Sequence, residues 1–96
     1  MVAKPTDPSD AQADFTISNE LGLHVRAAAM VVRTAGSFQS AIWFECGGAK
    51  ANARSVLDLL TLAATRGTVV TVRAEGDDAA AAVAGLGALI GRNFAE

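Results

Sequence analysis

His24 stands two residues after Gly22 and two before Arg26 in the stretch NELGLHVRAA, residues 19–28, and it is the only histidine in the chain. Imidazole is a nucleophile that can hold a covalent intermediate, and its ordinary pKa near ~6.5 leaves a neutral nitrogen available around neutral pH. Arginine offers planar, permanently charged N–H donors that match phosphoryl oxygens. Glycine lets the chain turn tightly and allows close approach. An alanine-rich segment opens at Val25, which puts His24 at a helix start. There the first backbone N–H groups lack intrahelical acceptors and the helix end carries about half a positive charge. Such a place suits a phosphoryl group held on His24, with Arg26 beside it. A lone histidine also has plainer uses, as a surface side chain or a helix cap, and spacing alone leaves them open.

The rest of the chain offers little further chemistry. It has no carboxylate pair, metal-ligand cluster or glycine-rich nucleotide loop, so an independent kinase or hydrolase would lack its machinery. No metal or cofactor is expected, and phosphate would have to arrive from one protein and leave to another. With eight basic and ten acidic residues, a formal charge of −2 and no basic cluster, nothing suggests a nucleic-acid partner. Cys46 is the single cysteine, which excludes an internal disulfide and reads as a small buried hydrophobe. No run is apolar for long enough to act as a signal peptide or membrane span, so a reducing, cytoplasmic setting is expected.

The elements that must position His24 follow from periodicity. The 96 residues, 51% hydrophobic and 19% charged, suit one domain. Residues 1–12 are polar and carry Pro5 and Pro8, the composition of a flexible leader, and the domain is expected over 13–96. Asp14 to Ser18 alternate as a strand with Phe15 and Ile17 on one face. A helix is expected from Val25 to about Ala35, with Val25, Ala28, Ala29 and Val32 at helical spacing and Gly36 as its stop. Ser40 to Cys46 alternate again, Gly47-Gly48 suits a hairpin turn, and Ala49 to Ala53 return. Ser55 and Asp58 have the spacing of an N-cap with a reciprocal acidic partner, opening a second helix that ends near Arg66-Gly67. Thr68 to Glu75 form a fourth strand. A last helix carries Val83, Leu86 and Ile90, weakened by Gly85, Gly87 and Gly91 at roughly 1 kcal/mol each. The short hairpin forces an antiparallel pair, so the class is α+β, a four-stranded antiparallel or mixed sheet with its helices on one face.

GLHVRAAA, together with NARSVLDLLTLAATRGTVVTVRAEGDD and this element order, resembles the HPr family, the histidine-containing phosphocarriers of the phosphoenolpyruvate-dependent sugar phosphotransferase system. The resemblance runs from about residue 14 to the C-terminus. It implies an open-faced β-sandwich with strand order 1-4-2-3 and three helices on one face. It also implies a monomer in which the Nδ1 atom of His24 takes a phosphoryl group from phosphorylated enzyme I and passes it to enzyme IIA domains. A carbon or a nitrogen branch of the system would use the same site. The family motif is Gly-Leu-His-Ala-Arg-Pro-Ala. Here Val25 replaces its first alanine and Ala27 stands where proline is usual, which is expected to loosen the N–H groups around the phosphate and slow transfer. The alternative is an HPr-like regulatory interaction module with weak or no phosphotransfer.

Ser55 aligns with the serine that an HPr kinase/phosphorylase modifies in many relatives. The N-cap role explains it without regulation, and a phosphate there would be repelled by Asp58. The second helix holds more apolar residues than one buried stripe needs. Leu59 and Leu62 are expected to point inward, leaving Val56, Leu57 and Leu60 as an exposed docking patch beside His24.

Overall fold

A computed structural model describes residues 10–95. The elements are β1 (Asp10–Thr16), α1 (Val25–Ala35), β2 (Ala41–Cys46), β3 (Ala49–Asn52), α2 (Val56–Thr61), β4 (Val69–Glu75) and α3 (Ala79–Gly91), closed by a 3₁₀ turn at Asn93–Ala95. The four strands form one antiparallel sheet in the order β1-β4-β2-β3. Most of the expected flexible leader lies outside the described residues. Its last part does not, because pairing of Asp10 with Glu75 and of Gln12 with Arg73 extends β1 back to Asp10.

Period-two alternation decides which sheet face is buried. Val70, Val72 and Ala74 of β4 and Ile42 and Phe44 of β2 are buried at 1% exposure or less. They join Ala27, Ala28 and Val31 of α1, Leu59 of α2 and Leu86, Leu89 and Ile90 of α3 in one cluster, so the helices share one face of the sheet. Each large aliphatic or aromatic side chain buried this way contributes about 1.5–3 kcal/mol. The opposite face is polar and partly open. Arg73 lies 3.3 Å from Glu75 and 3.9 Å from Glu45, and the Lys50 ammonium sits 4.5 Å from the centre of the Trp43 ring. Cys46, at the hairpin end of β2, is half-buried and not a core residue as expected.

Three helical details depart from the periodicity. The buried face of α1 is Ala27, Ala28, Val31 and Ala35, while Val25 is 63% exposed. Apolar residues surround this helix, so spacing alone admits more than one inward face. Second, α2 stops at Thr61, with Leu62 as its cap, well short of Arg66. Ala63 enters the left-handed region at φ 50, which ends a helix as an αL residue commonly does. Third, a Cβ on Gly87 would lie 2.3 Å from two ring carbons of Phe15. That glycine, read as a cost to α3, is what lets the helix sit on β1.

Two polar side chains tie the helix ends to the sheet. Arg54 donates to the carbonyl oxygens of Ala35 (2.9 Å), Phe38 (2.6 Å) and Ser40 (2.9 Å), placing a cation at the negative end of α1. Asp78, which precedes α3, accepts from the N–H groups of Gln39 (2.8 Å) and Ser40 (2.9 Å) and from the Ser40 hydroxyl. The hydroxyl bond, followed by the Gln39 N–H, holds its carboxyl below the ordinary value of 3.8. A lowered carboxyl stabilises the fold fully above the unfolded-state pKa and loses that contribution as pH falls through the lower folded-state value. Asp78→Ala is therefore expected to lower the urea midpoint at pH 7. The gap from the parent should close as the pH drops below 3.8, and a gap that persists unchanged in acid would contradict the assignment.

Candidate functional site

The site is built where the chain passes from β1 into α1. The Ile17 N–H donates to Thr68 O and Gly67 N to Ile17 O, which continues the β1–β4 pairing and delivers the chain to Asn19. A turn closes there, with Gly22 N donating to Asn19 O at 3.2 Å and Asn19 Nδ2 to Gly22 O at 2.8 Å. Gly22 has φ +66, and a Cβ on it would lie 2.4 Å from Ala64 O and 2.9 Å from Thr65 Cα. Only glycine combines that backbone angle with that approach. Leu23 N then donates to Ala64 O at 2.9 Å, so the segment after α2 braces the residue before His24.

His24 is the N-cap of α1, with extended backbone at φ −81 and ψ −179. Its Nδ1 accepts from the N–H of Arg26 at 3.1 Å and from that of Ala27 at 3.4 Å. Cap side chains satisfy orphan donors at these same two helical positions. An Nδ1 that accepts leaves the neutral ring its proton on Nε2, so the lone pair points into the positive end of the helix. The half-buried ring is also reachable from solvent. Arg26 is exposed and makes no ion pair with any described residue.

The remaining site residues fall elsewhere. Arg54, just before α2, donates to the carbonyl of the last residue of α1, and Ala64, shortly after α2, accepts from Leu23, the residue before the α1 cap. The two helices therefore run antiparallel, and Ser55, at the start of α2, lies toward the end of α1 away from His24. Ser55 caps α2 by accepting from Asp58 N at 3.2 Å. The expected reciprocal bond is not made. The Asp58 carboxylate takes the N–H of Asn52 at 3.3 Å, and Ser55 N turns to Asn52 O at 3.0 Å. Ser55→Ala should cost about 1 kcal/mol as a lost cap, read as a lower urea midpoint with the denaturant slope unchanged.

Leu59 and Leu62 point inward as expected, at 0% and 8% exposure. The expected docking patch of Val56, Leu57 and Leu60 is unevenly open. Leu57 is 76% exposed, but Val56 and Leu60 are partly buried against the core, because they flank the one side of α2 that buries Leu59. The exposed apolar residues nearest His24 in the chain are Leu21 and Val25, at 71% and 63%. Neither was singled out for docking from the sequence, where Val25 entered only through its helical spacing with Ala28, Ala29 and Val32. Among the described residues no group of three or more His, Cys, Asp or Glu side chains could hold a metal ion, and no helix is long and apolar enough to cross a membrane.

Comparison with known proteins joins this geometry to a chemistry. A family model described as "PTS HPr component phosphorylation site" matches residues 11–92. The phosphocarrier protein HPr of Xylella fastidiosa (strain Temecula1) is 40% identical over 83 residues, 86% of this chain and 93% of that protein. The protein of the same name from Haemophilus influenzae is 46% identical over 77 residues, 80% and 91% of the two chains. A crystal structure of HPr from Thermoanaerobacter tengcongensis superposes with a TM-score of 0.85 at 41% identity, covering 90% of this chain and 97% of that one.

Proposed function

The chain belongs to the HPr family of phosphotransferase-system phosphocarriers, and on that premise we propose that Nδ1 of His24 takes a phosphoryl group from phosphorylated enzyme I and hands it to enzyme IIA domains. The observation that carries this reading is the direction of the Nδ1 lone pair, which faces the N–H groups of Arg26 and Ala27. In the transfer the lone pair attacks phosphorus, the N–P bond forms, and the bond from phosphorus to the donor breaks with its electron pair returning to the donor. The ring keeps its Nε2 proton throughout. Helix-end N–H groups and the exposed Arg26 guanidinium then face the phosphoryl oxygens, where charge-assisted bonds are about twice as strong as neutral ones. Nothing in this arrangement activates a water or a nucleotide, which suits a carrier that depends on its partners for both steps.

Partners must reach His24, and the exposed Leu21, Val25 and Leu57 supply apolar contacts for docking. A dimer built on those residues would compete with docking, so the carrier works as a monomer, in the cytoplasm. A kinase acting on Ser55 would first have to break its cap on α2. The test is incubation of the chain with phosphoenolpyruvate and a catalytic amount of enzyme I from a relative, followed by intact mass. Gain of one phosphoryl group that is lost in acid supports the carrier. No gain, with an enzyme I that charges its own HPr, overturns it in favour of an interaction module.

A further inference from the structure

Ala27 contributes more to the site than a helix-forming side chain. It is the third residue of α1, and the first intrahelical bond is from Ala28 N to His24 O at 2.8 Å. The N–H groups of Val25, Arg26 and Ala27 therefore precede the helical ladder. The Ala27 N–H is turned to Nδ1 of His24, 3.4 Å away, while its side chain is fully buried and holds that turn of backbone against the core. Proline at this position, as in the family motif, has no N–H to offer.

We propose that the Ala27 backbone N–H is an additional phosphoryl-binding donor in this chain, one that a proline at position 27 could not supply. The inference rests on the carrier reading above. Once phosphorus occupies Nδ1 the lone pair is used, and the Arg26 and Ala27 N–H groups need new acceptors. The ring swings outward to admit the phosphoryl group, whose oxygens take the place of Nδ1. A neutral acceptor is thereby exchanged for a charged one, which strengthens the bond. The gain is realised in the phosphorylated state and not in the free one, so the donor shifts the transfer equilibrium toward phosphorylated His24. On this account the missing proline makes the carrier hold its phosphate more tightly, where the sequence alone suggested a looser site.

The experiment has two arms. In the first, ¹⁵N-labelled chain is phosphorylated with phosphoenolpyruvate and enzyme I, with ³¹P spectra recorded on the same sample. The Ala27 amide proton is expected to move downfield together with that of Arg26 and to show coupling to ³¹P. A phosphorylated sample with an unmoved, uncoupled Ala27 amide overturns the donor while leaving the carrier intact. The absence of any ³¹P signal on the protein removes the carrier reading and the donor with it. In the second arm, phosphoryl exchange with a relative's HPr is brought to equilibrium by enzyme I and read by intact mass. Ala27→Pro should lower the phosphorylated share, reducing the exchange constant about five- to tenfold. Ala27→Gly, which keeps the N–H but gives up the buried methyl, should retain a larger phosphorylated share than Ala27→Pro. Equal constants for a folded Ala27→Pro and the parent overturn the proposal, and if that variant does not fold the first arm decides.

Discussion

Replacing His24 by asparagine is expected to abolish phosphoryl uptake and leave stability close to that of the parent, whereas alanine abolishes uptake and also costs about 1 kcal/mol. The difference separates two tasks of one side chain. As nucleophile, His24 supplies the nitrogen that bonds to phosphorus. Alanine has none, and the lone pair of the asparagine amide nitrogen is delocalised into its carbonyl. As N-cap, it satisfies the N–H groups of Arg26 and Ala27. Asparagine can do the same through its carboxamide oxygen, while alanine leaves both donors to water. For a domain of this size the alanine penalty corresponds to a melting temperature lower by about 4–8 °C. Since the chain has no other histidine, acid-labile phosphate on the asparagine variant would require an acceptor outside His24 and sink the assignment. Calorimetry on both variants, beside the mass measurement, checks the two halves independently.

Gly22→Ala is expected to damage both fold and function without touching a reacting atom. The new methyl would lie 2.4 Å from Ala64 O and 2.9 Å from Thr65 Cα, both backbone positions that cannot rotate aside. The left-handed backbone adds a further ~1–2 kcal/mol for any residue with a Cβ. Relief requires the turn to separate from the segment after α2, which strains the Leu23 N to Ala64 O bond at 2.9 Å. A total loss of about 2–4 kcal/mol in urea unfolding follows from strain plus a weakened contact. The kinetic effect should be larger. His24 is two residues on, and a displacement of about 1 Å at a reacting group costs on the order of 100-fold. Rapid-quench phosphorylation by enzyme I would read that loss. Parent-like rates in a folded Gly22→Ala would mean that the brace does not position the histidine.

These two sites differ in how far they are legible before folding. The chemistry of His24 and Arg26 is written in residue type and in their place beside a helix start. The brace on Gly22 is not, because the atoms that exclude its Cβ come from Ala64 and Thr65, more than forty residues away. Ser55 is intermediate. Its role as a cap is local and readable from the Ser55–Asp58 spacing, yet the carboxylate's actual partner, Asn52 N, is set by how β3 leads into α2.

By itself the sequence determined the order of the elements, the hairpin at Gly47-Gly48, the inward faces of β2 and β4, and the placement of a lone histidine at the start of α1. All are local properties. Alternation of Val70 and Val72 with Thr71 and Arg73 can satisfy only one face of a strand, and a glycine pair suits a tight turn. Tertiary structure alone decided which face of α1 is buried, since alanines and valines around that helix leave its rotation undetermined until Leu23 is pinned to Ala64. It also decided where α2 ends, why Gly87 is needed against Phe15, that Arg54 closes the far end of α1, and that the Ala27 N–H faces Nδ1 of His24. Each of these depends on distances between segments far apart in the chain or on the direction of a single bond, and neither is fixed by local periodicity, which records only which residues prefer to leave water.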